Sequence, residues 1–107
     1  MKAEIIKMPK AIGPQLEEAI QRGVLAATLI VEGQVKLDTP VDTGRLKGSI
    51  GHRVSGRNGE IYTNVEYAPY VEYGTIHTQP QSFMRHGVDI SRNDALHAFG
   101  DEVKKAL

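Results

Sequence analysis

The chain has 107 residues, with 13 Lys and Arg against 13 Asp and Glu, four His, no Cys and no Trp. That length supports one domain with a single modest core and a radius of gyration of about 13 Å, and the absence of Cys excludes disulfides, thiolate zinc sites, iron–sulfur clusters and Cys nucleophiles. No apolar run approaches the ~18 residues of a membrane span, the segment Met1–Lys7 lacks the features of a secretory signal, and zero formal net charge argues against a phosphate backbone as the main partner.

Residues 1–13 mix charges with Ile5, Ile6, Met8, Pro9 and Gly13, and are expected to form an N-terminal arm ahead of a single α+β domain spanning 14–107. Pro14 suits the first turn of a helix, where its missing N–H is of no consequence. From there Leu16, Ile20, Val24, Ala27, Val31 and Val35 recur at spacings of three and four, which predicts one helix face. Glu17 and Glu18 fall at its positive end. Pro40 disfavours helical geometry at Thr39, so the helix should end near Asp38, a rod of roughly 36 Å.

The uncharged run Val24–Val31 carries more apolar surface than one stripe. Either the monomer covers this helix on two sides, or a neighbouring subunit covers the second face. Gly23 and Gly33 each cost about 1 kcal/mol against Ala; close packing against another backbone would offset that, and tolerated weak spots are an equally good account.

After a turn at 39–47 the period changes. Residues 49–54 and 60–65 read as two strands, with Arg57-Asn58-Gly59 as the hairpin turn between them. Ile61, Thr63 and Val65 should share one face of the second strand. Pro69 and Gly74 bracket a short helix, and residues 74–82 form a long polar loop. Residues 83–90 read as helix, and Ser91-Arg92-Asn93-Asp94 as a cap that restarts or continues it through Leu96, Phe99, Val103 and Leu107. The architecture predicted is α+β: a long N-terminal helix packed on a small antiparallel sheet with a β-hairpin core, a short helix, a long loop and a C-terminal helix.

Asp42-Thr43-Gly44 invites comparison with the half-site of a dimeric aspartic protease, and Gly56-Arg57-Asn58 echoes a second motif of that class. The chemistry requires two carboxylates sharing one proton at the tips of buried strands. Asp42 instead follows Thr39-Pro40-Val41 and precedes Arg45, and the two motifs lie too close to close a barrel between them. A turn capped by Asp42 is the simpler reading. His52, His77, His86 and His97 have no i,i+4 pairing and no accompanying Glu in a zinc motif. There is no Gly-rich phosphate loop and no nucleophile elbow. Nothing here points to catalysis, a metal or a cofactor.

Tyr67, Tyr70 and Tyr73 recur every third residue. Packing of aromatic bodies with wet hydroxyls accounts for them, and an intermolecular contact surface is the sharper alternative. Stacking on nucleic acid would need a basic groove beside them, whereas Glu66 and Glu72 are their charged neighbours.

Three segments together carry a resemblance: Thr39-Pro40-Val41-Asp42-Thr43-Gly44-Arg45-Leu46 with Ser49-Ile50; Asn64-Val65-Glu66-Tyr67-Ala68-Pro69-Tyr70-Val71-Glu72-Tyr73-Gly74-Thr75; and Pro80 with Phe83-Met84-Arg85. In order and spacing they resemble the small tail-component family of long-tailed phages, over roughly residues 15–107. One departure is His86-Gly87, where the family has Pro-Ala after the Arg.

The resemblance implies a virion or prophage protein of the head–tail connection, assembled in the host bacterial cytoplasm, with an α+β fold. It implies a homo-oligomeric ring, a hexamer to match the sixfold tail, docked on neighbouring head-connector or tail proteins. No catalytic residue, cofactor, membrane or sequence-specific nucleic acid comes with it. The motif residues singled out are Asp42, Thr43, Gly44, Arg45, Leu46, Tyr67, Tyr70, Glu72, Tyr73, Gly74, Thr75, Phe83 and Arg85. Asp42 would cap the turn, Gly44 would supply a backbone conformation closed to other residues, and Arg45 would pair with Glu66 or Glu72. Arg85, like Arg45, would be structural if paired within the subunit and adhesive if paired across it. Leu25, Leu29, Ile30, Ile76, His77 and Gln79 are the candidate oligomer contacts, since a ring needs head-to-tail surfaces that close. A small adaptor module of a mobile element, binding one partner without a ring, is the alternative from a different class.

Overall fold

The computed structural model describes residues 1–6, 13–41 and 44–106. The expected capping role of Asp42, and Thr43 with it, lies outside them, as does Leu107. Among the described residues the order is β1 (Lys2–Ile6), α1 (Pro14–Asp38), α2 (Arg45–Ser49), β2 (Gly51–Ser55), β3 (Asn58–Tyr62), α3 (Ala68–Tyr73) and α4 (Phe83–Lys104). This is an α+β fold in which β1, β3 and β2, in that order, form one antiparallel sheet.

α1 starts with Pro14 at its first position and ends where Thr39, preceding Pro40, turns extended at φ −75°, ψ 129°. The Thr39 hydroxyl donates to the Val35 carbonyl at 2.6 Å and satisfies one of the last free acceptors. The helix lies across all three strands, and α4 packs along it. Ala27, Val31 and Val35 of α1 meet Ile61 of β3, Leu46, Ile50, Val65, Phe83, Met84 and Ala95 in the core.

The two helices meet at glycines. A Cβ at Gly23 would stand 2.7 Å from the Phe99 ring, and one at Gly87 would stand 2.7 Å from the Val35 backbone. Close approach therefore explains Gly23, while Gly33 faces open space and is a tolerated weak spot. Two rods of 25 and 22 residues side by side stretch the molecule to 52 × 21 × 20 Å. The radius of gyration is accordingly 15.3 Å rather than the value of a sphere-like chain.

Three local expectations are corrected. Residues 2–6, read as part of an arm, pair with β3 as an edge strand; Ala3 and Ile5 pack on the core, and Lys2 reaches Glu60 at 3.1 Å. The turn between β2 and β3 is Gly56-Arg57, with Gly56 at φ +58°, not Asn58-Gly59. Gly59 instead sits inside β3, where a Cβ would fall 2.0 Å from the Thr28 hydroxyl of α1. Residues 45–49, read as turn and strand start, form α2, whose Ser49 hydroxyl donates back to the Leu46 carbonyl at 2.6 Å. Of the two readings of Ser91–Asp94, the structure has the continued helix: α4 runs unbroken, and the Ser91 hydroxyl donates to the Gly87 carbonyl at 2.7 Å.

The sheet's far face is polar. Glu60 bridges Lys2 and Arg53 across the three strands, and the Arg53 guanidinium lies 4.8 Å over the Tyr62 ring. One face on the core and one in water is the usual arrangement of a small antiparallel sheet.

Candidate functional site

The motif segments converge at one end of the molecule, where α1 ends, α2 and α3 begin and α4 starts. Gly44 adopts φ +79° immediately before α2, a left-handed conformation that glycine reaches without strain. The segment between α1 and α2 follows a helix and leads into another, with Val41 exposed. Leu46 is buried in the core.

Arg45 grips Glu66 with both terminal nitrogens, at 3.1 and 2.9 Å, and its guanidinium lies 5.4 Å from the Tyr67 ring centre. Of the two expected partners the structure selects Glu66. The pair is within the subunit and solvent-exposed, so its Coulombic gain is largely screened. A hydrogen bond from its own backbone N–H, and then the Arg45 contact, hold the Glu66 carboxyl below the usual carboxylate range.

Glu72 does something the sequence reading missed. It is 2% exposed, and its two carboxylate oxygens accept the backbone N–H groups of Met84 at 2.9 Å and Arg85 at 3.1 Å. These are orphan donors of the first turn of α4, whose own preceding residue, Ser82, provides no cap. The Ser82 hydroxyl is turned to the Glu72 carbonyl instead. A carboxylate borrowed from α3 thus satisfies the N–H groups and sits at the positive end of the α4 dipole. The signal was a Glu on an otherwise apolar short helix followed, a loop later, by a helix start with no capping side chain.

The Arg85 main chain is thereby structural, while its side chain is exposed and makes no ion pair among the described residues. Phe83 is buried in the core. His86 contacts Asp38 at 2.7 Å and fastens the start of α4 to the end of α1. The His86-Gly87 departure thus leaves the helix start intact and coincides with the close crossing at Val35.

Tyr67 is half-buried against the core, whereas Tyr70 and Tyr73 are exposed. From α3 the chain enters the polar loop through Gly74, at φ +78°, where a Cβ would fall 2.8 Å from Pro80 N and the Thr78 carbonyl oxygen. Thr75 and Thr78 bond each other's backbones at 3.0 and 3.3 Å, closing a tight turn. Ile76 stands at its corner, 95% exposed, with His77 and Gln79 also exposed. Pro40, Tyr67, Tyr70, Thr75 and Gln79 line a shallow groove beside the turn.

Elsewhere, Leu25, Leu29 and Ile30 project from the side of α1 away from the core, each about two-fifths exposed. Leu37, nearer the end of α1 and outside the uncharged run on which the sequence expectation rested, is 73% exposed. Ile90 and Leu96 add exposed apolar surface on α4. Among the described residues there is no cluster of His, Asp or Glu suited to a metal, and no helix is long and apolar enough to cross a membrane.

A family model described as "Bacteriophage HK97-gp10, putative tail-component" matches residues 3–74, about two-thirds of the chain. The chain belongs to this phage tail-component family. The match runs from β1 through α3, so it contains the Thr39–Leu46 segment and the Tyr67–Gly74 segment. The 75–82 loop and the Phe83-Met84-Arg85 motif fall beyond it. No curated protein and no solved structure matches.

Proposed function

We propose that this tail component joins or completes the head–tail connection of a phage or prophage particle, through contacts between copies arranged in a ring. It acts by shape and adhesion rather than by catalysis. The observation that carries this reading is the apolar surface left uncovered on α1, Leu25, Leu29, Ile30 and Leu37, in a chain whose core is already closed on the helix's other side. Large apolar side chains left exposed on one helix beyond the needs of the core are the kind of surface that protein–protein contacts cover. A hexameric ring matches a sixfold tail, with head-connector or tail proteins as its neighbours and the host cytoplasm as its place of assembly.

The test is electron microscopy of particles made by an element lacking this gene. Filled heads beside free tails of normal length would establish joining, and tails of uncontrolled length would establish tail termination. Intact infectious particles would overturn the reading.

A further inference from the structure

The three-stranded sheet ends on both sides in an open edge. In the order β1–β3–β2 only the central strand is paired on both flanks, and among the described residues no strand lies beyond β1 or β2. The Thr63 N–H donates to the Met1 carbonyl, so Met1 and Ala3 direct their backbone groups toward β3, while Lys2 and Glu4 direct theirs outward. By the same alternation Ile61 serves β1 and Glu60 serves β2, which leaves the N–H and C=O groups of His52 and Val54 pointing away from β3. Neither edge strand contains proline. Such rows of free donors and acceptors are templates for a further strand.

The side chains at the two edges are complementary. Glu4, Glu60 and Arg53 form one row across the polar face of the sheet. Glu60 holds Lys2 and Arg53, whereas Glu4 stands directly opposite Glu60, a like charge, and has no ion-pair partner among the described residues. Like charges set opposite each other weaken a strand pair. A cation arriving from beyond β1 would relieve this one, and Arg53, with its side chain 62% exposed, is the cation at the opposite edge. Exposed leucines accompany both edges. Leu25 and Leu29 share a stripe of α1 with Glu32, which bonds His52 of β2, and Leu96 of α4 lies in the groove beside Glu4 and Ile5 of β1.

We propose that β2 of one copy pairs with β1 of the next, with His52 opposite Ala3 and Arg53 opposite Glu4. β1 and β2 both run antiparallel to β3 and hence parallel to each other, so a rotation about an axis along the strands sets them side by side in parallel. In that register the His52 N–H donates to the Lys2 carbonyl, the Glu4 N–H to the His52 carbonyl and the Val54 N–H to the Glu4 carbonyl. Leu29 is turned toward Leu96 of the neighbour. Two different edges meet, so the contact is heterologous and propagates head-to-tail. Three strands span about 14 Å, and two helices side by side take about 16–20 Å. The wider helical layer curves the row with its polar face inward, which lets it close. This contact rests on the ring proposed above and names the surfaces that would form it.

Charge reversal tests it. Arg53→Glu and Glu4→Arg each set like charges against one another at the contact, and each should weaken self-association at least about tenfold in sedimentation. Glu4→Arg should do so without lowering Tm, since it also removes the like-charge pair with Glu60. Mixing the two variants should restore association, because every contact in an alternating assembly then joins a cation to a carboxylate. A hexamer, with an even number of copies, accommodates the alternation. Val54→Pro removes an outward N–H that β3 does not use, and should weaken association as well while the hairpin stays folded. A wild-type chain that stays monomeric at millimolar concentration, single variants that associate as the wild type does, or a mixture no better than its components would overturn the contact. A ring that forms and is untouched by all three substitutions would refute this contact and leave the ring itself standing. The head–tail role is decided separately, by the gene-deletion particles.

Discussion

Gly87 of α4 lies against the backbone of Val35 in α1, so close that any side chain there would stand 2.7 Å from the Val35 Cα. The crossing of the two long helices is set at this point and at Gly23 beneath the Phe99 ring. Gly87→Ala should therefore lower stability by about 1–3 kcal/mol through overpacking against backbone, which cannot swing aside. Gly33→Ala, in open space on α1, should raise it by about 0.5–1 kcal/mol. Urea midpoints at constant m-value would check both, and equal effects of the two would refute the close-contact account.

The Glu72 carboxylate caps α4 from another helix. Glu72→Ala leaves two N–H groups of the first turn without partners in a buried site, and should cost about 2–3 kcal/mol. Glu72→Gln keeps one acceptor and should lose about half as much. Amide hydrogen exchange should show the protection loss concentrated at Met84 and Arg85; a uniform loss along α4 would mean that the carboxylate acts only through packing.

Gly59 and Thr28 form a second enforced contact. Gly59→Ala should be strongly destabilising, because its Cβ would overlap the Thr28 hydroxyl, which is itself bonded to the Val24 carbonyl at 2.7 Å. Thr28→Ala should recover part of that loss in the double variant, with a coupling energy of about 1 kcal/mol or more. Strictly additive effects would show that Gly59 is required for some other reason.

Acid should destabilise the fold through two carboxylates. Hydrogen bonding to Arg57, whose Nε donates to Glu17 at 3.0 Å, holds the Glu17 carboxyl below its usual range. Glu66 is lowered by its own backbone N–H and then by Arg45. A lowered folded-state pKa means that the stabilisation is fully present above the ordinary value near 4.5 and is lost as pH falls through the folded value. Tm should hold near neutrality and fall on acidification below that value. Glu17→Gln should flatten the slope while lowering the neutral-pH Tm; an unchanged acid profile would remove the pair from the account.

Periodicity made α1 legible to within its end residues, because its start depends on Pro14 and its end on Pro40, both local effects. The hairpin was legible as a pairing but not in register. Gly56 and Gly59 are equally good turn glycines in sequence, and only the strand register and the close approach of the Thr28 hydroxyl of α1 assign Gly59 to the strand. β1 escaped because Lys2-Ala3-Glu4-Ile5-Ile6 is too short and mixed to read as a strand until β3 supplies its hydrogen-bond partners. Of the site, the motif residues and the exposed loop could be named in advance. The choice of Glu66 over Glu72 for Arg45 could not, because it turns on which carboxylate the end of α3 buries.

By itself the amino-acid sequence determined what depends on neighbours along the chain: the helical periods, the proline boundaries, the α+β class and the motif spacing that places the chain among phage tail components. Tertiary structure alone decided which glycines are contacts, which carboxylate caps α4 and which isoleucine stands free at the corner of a turn. Each of those depends on atoms far apart in sequence, and short-range propensity carries no information about what will be packed against it.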